Sequence, residues 1–347
     1  MKKYQQLAEQ LREQIASGIW QPGDRLPSLR DQVALSGMSF MTVSHAYQLL
    51  ESQGHIIARP QSGYYVATQA IKMPKAPVIP VTRDEAVDIN TYIFDMLQAS
   101  RDPSVVPFAS AFPDPRLFPL QQLNRSLAQV SKTATAMSVI ENLPPGNAEL
   151  RQAIARRYAL QGITISPDEI VITAGALEAL NLSLQAVTEP GDWVIVENPC
   201  FYGALQALER LRLKALSVAT DVKEGIDLKA MELALQEYPV KACWLMTNSQ
   251  NPLGFTLTPQ KKARLVALLS QYNVTLIEDD VYSELYFGRE KPLPAKAWDH
   301  HDGVLHCSSF SKCLVPGFRI GWVAAGKHAR KIQRLQLMST LSTSSPM

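Results

Sequence analysis

Apolar positions in the first stretch of the chain recur at helical spacing. Leu7, Leu11 and Ile15 share one helix face, and Gly18 is a stop. After the turn Gln21-Pro22-Gly23-Asp24-Arg25-Leu26-Pro27, Ser28 is placed to N-cap a short helix from Leu29 to Leu35. Gly37 makes a bend. Ser39 caps a second helix carrying Val43, Ala46, Tyr47 and Leu50, and Gly54 closes it. The pattern then becomes extended. His55-Ile56-Ile57-Ala58-Arg59 reads as a strand, Pro60-Gln61-Ser62-Gly63 as a turn and Tyr64-Tyr65-Val66 as the return strand. Two helices joined by a tight turn, then a hairpin, predict a winged helix-turn-helix over residues 1–68.

Residues 69–107 read as a linker and connecting segment. Pro74, Pro77 and Pro80 alternate with small residues and Lys, which favours an extended tether. An irregular stretch from Pro103 to Pro119 contains Phe112-Pro113-Asp114-Pro115. From about residue 146, short β-branched runs alternate with helix-length amphipathic ones. The strands fall at Ile170–Thr173, Val194–Val196, Ala242–Met246, Val274–Ile277 and Val304–His306. This alternation predicts an α/β domain over residues 108–347, built on a doubly wound, mostly parallel sheet. Ligands of such sheets sit beyond the carboxyl ends of the strands, which is where chemistry is sought.

At 347 residues, 46% hydrophobic and 19% charged, the chain has ordinary globular composition for two or three domains. The net charge of +2 argues neither for nor against nucleic acid. Segment 1–68 carries six basic and five acidic side chains, so its electrostatic affinity for DNA is limited and tight binding calls for a dimer. Cys200, Cys243, Cys307 and Cys313 form no Cys-x-x-Cys pair and lie near no His cluster, so buried free thiols are expected and no metal. Met1-Lys2-Lys3-Tyr4-Gln5-Gln6 leads into no apolar signal region, and no run of about 18 apolar residues exists, so a cytoplasmic protein without a membrane partner is expected.

A recognition helix meets base edges with its N-terminal residues. Here these are Ser39, Phe40, Met41, Thr42, Ser44 and His45; the wing from Arg59 through Gly63 to Tyr64 can reach phosphate or the minor groove, and Arg30 backbone or guanine. A winged helix that only contacts protein has the same pattern. The string Ile19-Trp20-Gln21-Pro22-Gly23-Asp24-Arg25-Leu26-Pro27-Ser28-Leu29-Arg30, with Thr42-Val43 and the wing Arg59-Pro60-Gln61-Ser62-Gly63-Tyr64-Tyr65-Val66, resembles the GntR winged-helix domain. The resemblance implies double-stranded DNA as a partner and Arg30 as a DNA contact. Members of that family often carry arginines in the recognition helix, where this chain has Phe40 and Ser44.

Ser308-Ser309-Phe310-Ser311-Lys312 follows the strand at Val304. A lysine amine at a strand end can condense with an aldehyde cofactor. Ser309 and Ser311 can face one phosphate, and Arg319, seven residues on, is a planar cationic clamp for it. A loop lysine with capping serines reads the same. Ile277-Glu278-Asp279-Asp280-Val281-Tyr282 puts carboxylates after an apolar strand, suited to a protonated pyridine nitrogen or to a helix start. Tyr282, and Asn251 in Asn248-Ser249-Gln250-Asn251-Pro252-Leu253-Gly254, can hydrogen-bond a phenolic ring oxygen, although Asn-Pro-x-Gly is also a common turn. Small residues in Thr173-Ala174-Gly175-Ala176-Leu177 expose helix-start amides to phosphate. Phe201, after Glu197-Asn198-Pro199-Cys200, can stack on a ring.

In this order the motifs resemble the fold type I pyridoxal-phosphate enzymes, from about residue 108 onward, above all in Ser-Phe-Ser-Lys…Pro-Gly-Phe-Arg-Ile-Gly-Trp over 309–322. The resemblance implies pyridoxal 5'-phosphate as cofactor and Lys312 as its Schiff-base lysine. It implies Asp279 on the pyridine nitrogen, Tyr282 and Asn251 on the phenolic oxygen, and Phe201 stacked on the ring. Ala176 and Leu177 amides with Ser309, Ser311 and Arg319 would bind phosphate. Both resemblances on one chain match the MocR subfamily of GntR regulators. That subfamily implies a head-to-tail homodimer and regulation by a small effector: an amino acid, an amine or pyridoxal phosphate. An aminotransferase with an accessory DNA-binding domain is the alternative. Two departures bear on this. The aminotransferase pattern has a tyrosine where Glu141 stands, so a contact to the partner's phosphate is expected to be lost. The resemblance also implies a small C-terminal domain of roughly a hundred further residues bearing a carboxylate-binding arginine, whereas this sequence ends at Pro346-Met347. The domain over 108–347 is therefore expected to be C-terminally incomplete, with impaired amino-acid binding.

Overall fold

The computed structural model describes residues 3–60, 62–67, 93–94, 98, 111–133, 135 and 142–343. The chain divides into two units, Met1–Lys75 and Ala76–Met347. The expected tether lies outside the described residues except at three positions, and Gln61, Glu141, Pro346 and Met347 also lie outside them.

The first unit consists of α1 (Lys3–Ala16), α2 (Leu29–Ser36), α3 (Phe40–Ser52), β1 (Ile56–Arg59) and β2 (Gly63–Val66). Helix starts leave amides without intrahelical partners, and the two serines answer this. Ser28 Oγ accepts the Asp31 N–H at 3.2 Å and Ser39 Oγ accepts the Thr42 N–H at 3.3 Å. Gly54, at φ 76°, turns the chain out of α3. The first strand begins at Ile56, not His55, because the His55 N–H still bonds back to Leu50 O at 2.9 Å. The hairpin is antiparallel, with Arg59 opposite Gly63, so the return strand starts one residue before the expected Tyr64. Leu7, Leu11, Leu26, Val43, Tyr47, Leu50 and Ile56 form the core. Tyr47 is buried without losing its polar partner, since its hydroxyl donates to Pro27 O at 2.9 Å.

The second unit runs α4 (Leu120–Thr133), α5 (Ala148–Ala159), β3 (Ile170–Thr173), α6 (Ala176–Val187), β4 (Trp193–Asn198), α7 (Tyr202–Arg210), β5 (Lys214–Asp221), β6 (Gly225–Ile226), α8 (Leu228–Glu237), β7 (Val240–Leu245), α9 (Pro259–Gln271), β8 (Thr275–Asp279), β9 (Val304–Ser309), β10 (Gly321–Ala324) and α10 (Ala329–Ser339). Its sheet has the order β3-β10-β9-β8-β7-β4-β5-β6. Strands β9, β8, β7, β4 and β5 are parallel, while β10 is antiparallel between β9 and β3. The sheet is covered on both faces. Val194 and Val196 of β4 pack with Leu180, Leu184, Leu208 and Ile332; Ile195, pointing oppositely, packs with Met231, Leu235, Leu265 and Leu269. Burial on both faces is why these strands read as unbroken apolar runs. β5 and β10 had no such run: β5 alternates in burial, and β10 starts at the end of the string that follows the lysine.

Candidate functional site

The carboxyl ends of β8 and β9, the start of α6 and the loops at 199–202 and 246–252 enclose a cavity of about 500 Å³. All ten expected cofactor positions line it: Ala176, Leu177, Phe201, Asn251, Asp279, Tyr282, Ser309, Ser311, Lys312 and Arg319.

Strand β8 extends through Glu278 and Asp279, two residues beyond the expected end. Period two then separates the three acids. Glu278 faces away from the cavity and is consumed structurally: its carboxylate accepts the Ala295 N–H at 2.6 Å and the Lys296 N–H at 3.1 Å. Asp280 joins a buried chain. Trp322 Nε1, which can only donate, gives its hydrogen to the Tyr158 hydroxyl at 3.0 Å. The Tyr158 hydroxyl in turn hydrogen-bonds His306 Nδ1, and His306 Nε2 bonds to Asp280 Oδ2 at 3.0 Å. Asn248 donates to the other Asp280 oxygen at 3.0 Å. Asp279 alone lines the cavity. Its Oδ1 and the indole Nε1 of Trp244 are both buried without a well-formed hydrogen bond, although the indole is near enough to favour the charged form of Asp279. Burial, reinforced by the adjacent Asp280, pushes the Asp279 carboxyl up to about 7.

Lys312 Nζ donates to Ala111 O at 2.9 Å and stands 4.2 Å from the centroid of the Phe112 ring. Burial holds this amine below the usual lysine range, while Asp279 acts in the opposite direction. The amine therefore deprotonates more readily than an exposed lysine, as a nucleophile requires. Burial pushes the Tyr282 hydroxyl up to about 12, with Asp279 adding to this and a hydrogen bond from Asn251 opposing it.

Arg319 sits in the left-handed region at φ 53°. Its guanidinium reaches Ala174 O at 3.1 Å and Ser311 Oγ at 3.4 Å. Gly175, at φ 92°, leaves room for it, and no side chain caps the start of α6. Free amides at a helix start, two hydroxyls and a guanidinium make a corner suited to a dianion.

Sequence reasoning missed one organising residue. Gln250 Nε2 donates to Glu197 Oε2 at 3.1 Å and to Pro199 O at 3.0 Å, and its Oε1 accepts the Leu253 N–H at 2.8 Å. One buried amide thus ties the Asn251 loop to the loop that carries Phe201. Burial pushes Glu197 up to about 8. Ala111, Phe112, Tyr202 and Met246 also line the cavity, and no local motif marks them. Cys243 and Cys307 are buried free thiols as expected, but Cys200 and Cys313 are half-buried, Cys200 because it lies in the cavity wall.

In the first unit Arg30, Ser39, Phe40, Met41, His45 and Arg59 are exposed, and Thr42, Ser44 and Gly63 half-buried. Ser39 is spent on the helix start, and its Oγ also meets Thr42 Oγ1 at 2.8 Å. Arg59 lies 4.3 Å over the Tyr65 ring, and the His45 ring meets the edge of Tyr4 at 5.9 Å.

Residues 3–66 match the family of bacterial regulatory proteins of gntR type, and residues 114–347 match aminotransferase class I and II. The chain is 98% identical over its whole length to the HTH-type transcriptional regulator YdcR of Escherichia coli (strain K12), 74% of whose length it covers. It is 38% identical to the regulator YjiR of the same organism over 97% of the chain and 72% of that protein. The chain belongs to the MocR subfamily of GntR-type regulators. Its aminotransferase-like part is also similar in structure to LysN, the alpha-aminoadipate aminotransferase of Thermus thermophilus, solved with N-(5'-phosphopyridoxyl)-L-leucine. The TM-score is 0.65 at 27% identity, covering 74% of the present chain and 64% of LysN. Among the described residues of this MocR-type chain no helix is long and apolar enough to cross a membrane, and no group of three or more His, Cys, Asp or Glu could hold a metal ion.

Proposed function

We propose that the chain is a DNA-binding transcription regulator whose aminotransferase-like unit holds pyridoxal 5'-phosphate and senses it, or an amino compound joined to it. The observation that carries the proposal is the buried Asp279, whose Oδ1 lacks a well-formed hydrogen bond, lining the same cavity as the Lys312 amine. An unpaired buried carboxylate oxygen is costly unless a ligand supplies the partner, and a protonated pyridine nitrogen is such a partner. The residues present fit the group. Lys312 would supply the amine, Asp279 would meet the ring nitrogen, Asn251 and Tyr282 would hold the phenolic oxygen, and Phe201 would offer an aromatic face to the ring. Ser309, Ser311, Arg319 and the first amides of α6 would bind the phosphate. Bound there, pyridoxal phosphate supplies an aldehyde that condenses with amines and a ring that withdraws electrons.

The neighbouring residues do the positioning. Gln250 fixes two loops against each other, Asp280 is held by His306 and Asn248, and the Phe112 ring lies against the lysine amine. An effector that prefers one arrangement of the dimer shifts how the DNA-binding units are presented. Transamination would use the same lysine and carboxylate, and an assay with purified protein and amino acids decides whether it occurs. The regulatory reading is tested by footprinting the gene's own upstream region with and without pyridoxal phosphate. Protection that changes with the cofactor is expected; protection that is absent or indifferent to it contradicts the proposal.

A further inference from the structure

No lysine or arginine occurs between Asp31 and Ala58, so α3 has no side chain able to make the two-pronged contact with guanine O6 and N7. Its first turn instead presents Phe40 and Met41, 51% and 62% exposed, and neither joins the core of the unit. Two adjacent large apolar side chains at the start of a helix offer a small apolar surface that a partner can cover. The hydroxyl that precedes them is spent on the N-cap. The flanking elements carry charge, Arg30 at the start of α2 and Arg59 at the end of β1, both exposed. Exposed cations suit phosphates, and an uncharged apolar helix start suits the base edges of a duplex. Only one major-groove edge offers an apolar group, the C5-methyl of thymine.

We propose that Phe40 and Met41 are specificity-determining residues that read thymine C5-methyl groups, so that the base pairs facing the start of α3 are A·T. This inference rests on the DNA-binding reading above. Ser44 and His45, one turn further along, contribute only hydrogen bonds to neighbouring edges.

The test starts from a random-sequence duplex pool carried through rounds of binding to the purified full chain. The enriched duplexes are then remade with deoxyuridine in place of thymidine, which removes the methyl and nothing else. The expected result is an enriched motif with thymines at fixed positions and a loss of about fourfold in affinity for each methyl read, the worth of one buried CH₂. A Phe40→Ala/Met41→Ala protein, checked for an unchanged melting curve, should bind the thymine and uracil duplexes equally. An enriched motif whose affinity is indifferent to methyl removal overturns this inference and leaves DNA binding standing. No enrichment at all overturns both. The uracil comparison uses the wild-type chain, so it holds even if the double variant fails to fold.

Discussion

Arg319 passes so close over Gly175 that a Cβ at residue 175 would stand 2.2 Å from its Nη2. Gly321 is equally tight, since a Cβ there would lie 2.5 Å from the Gly175 carbonyl carbon. The guanidinium is thereby laid across the start of α6, at the same corner of the cavity as the helix amides.

Gly175→Ala is therefore expected to displace Arg319 as well as strain a backbone at φ 92°. A charge-assisted hydrogen bond is worth roughly 1.5–3 kcal/mol, so pyridoxal phosphate affinity should fall about tenfold to a hundredfold. Absorbance titration of the variant against wild type measures this.

Asp279 binds its proton more tightly in the folded chain than in the unfolded one. Its folded value of about 7 lies above the ordinary carboxylate range. The stability it contributes is thus full below about pH 4 and is lost as pH rises through about 7. Asp279→Asn removes that loss. The cofactor-free variant should melt higher than wild type at pH 8 and alike at pH 4, while binding pyridoxal phosphate more weakly at both. Thermal melts at the two pH values, with and without cofactor, check the opposed effects.

Gln250→Ala frees the Asn251 loop from the Phe201 loop and leaves the buried Glu197 short of a donor. A loss of about 1–3 kcal/mol in stability is expected. Cofactor affinity should fall in parallel, although Gln250 does not line the cavity. Denaturant unfolding with a parallel cofactor titration separates the two effects.

Arg30→Ala removes an exposed cation at the start of α2. If it meets phosphate, affinity should drop about equally for all duplex sequences. The slope of log K against log salt should become shallower by about one. Binding isotherms at several salt concentrations give both quantities.

Much of this was legible because local signals and the fold agree. Ser28, Ser39, Gly37 and Gly54 mark helix ends by backbone chemistry that acts over a few residues, and each stands where expected. The serine-lysine string and the acids after Ile277 sit at strand ends, as parallel sheets require. The apolar pattern alone left open which acid of Glu278, Asp279 and Asp280 faces the cavity, because that depends on where β8 stops; only the family resemblance pointed to Asp279. Nor could the sequence reveal Gln250, whose three contacts come from residues brought together only by the sheet. β10 was missed because an antiparallel strand of Gly, Trp, Val and Ala, placed just after a loop, lacks a β-branched run.

The account depends on Lys312 being the amine that holds the cofactor. Purified protein mixed with pyridoxal phosphate, reduced with borohydride, digested and mapped by mass spectrometry tests this directly. The expected result is one phosphopyridoxyl group on the peptide containing Lys312, with the label abolished in Lys312→Ala. Label confined to another lysine, such as the buried Lys262 or Lys296, or no label at all, would contradict it.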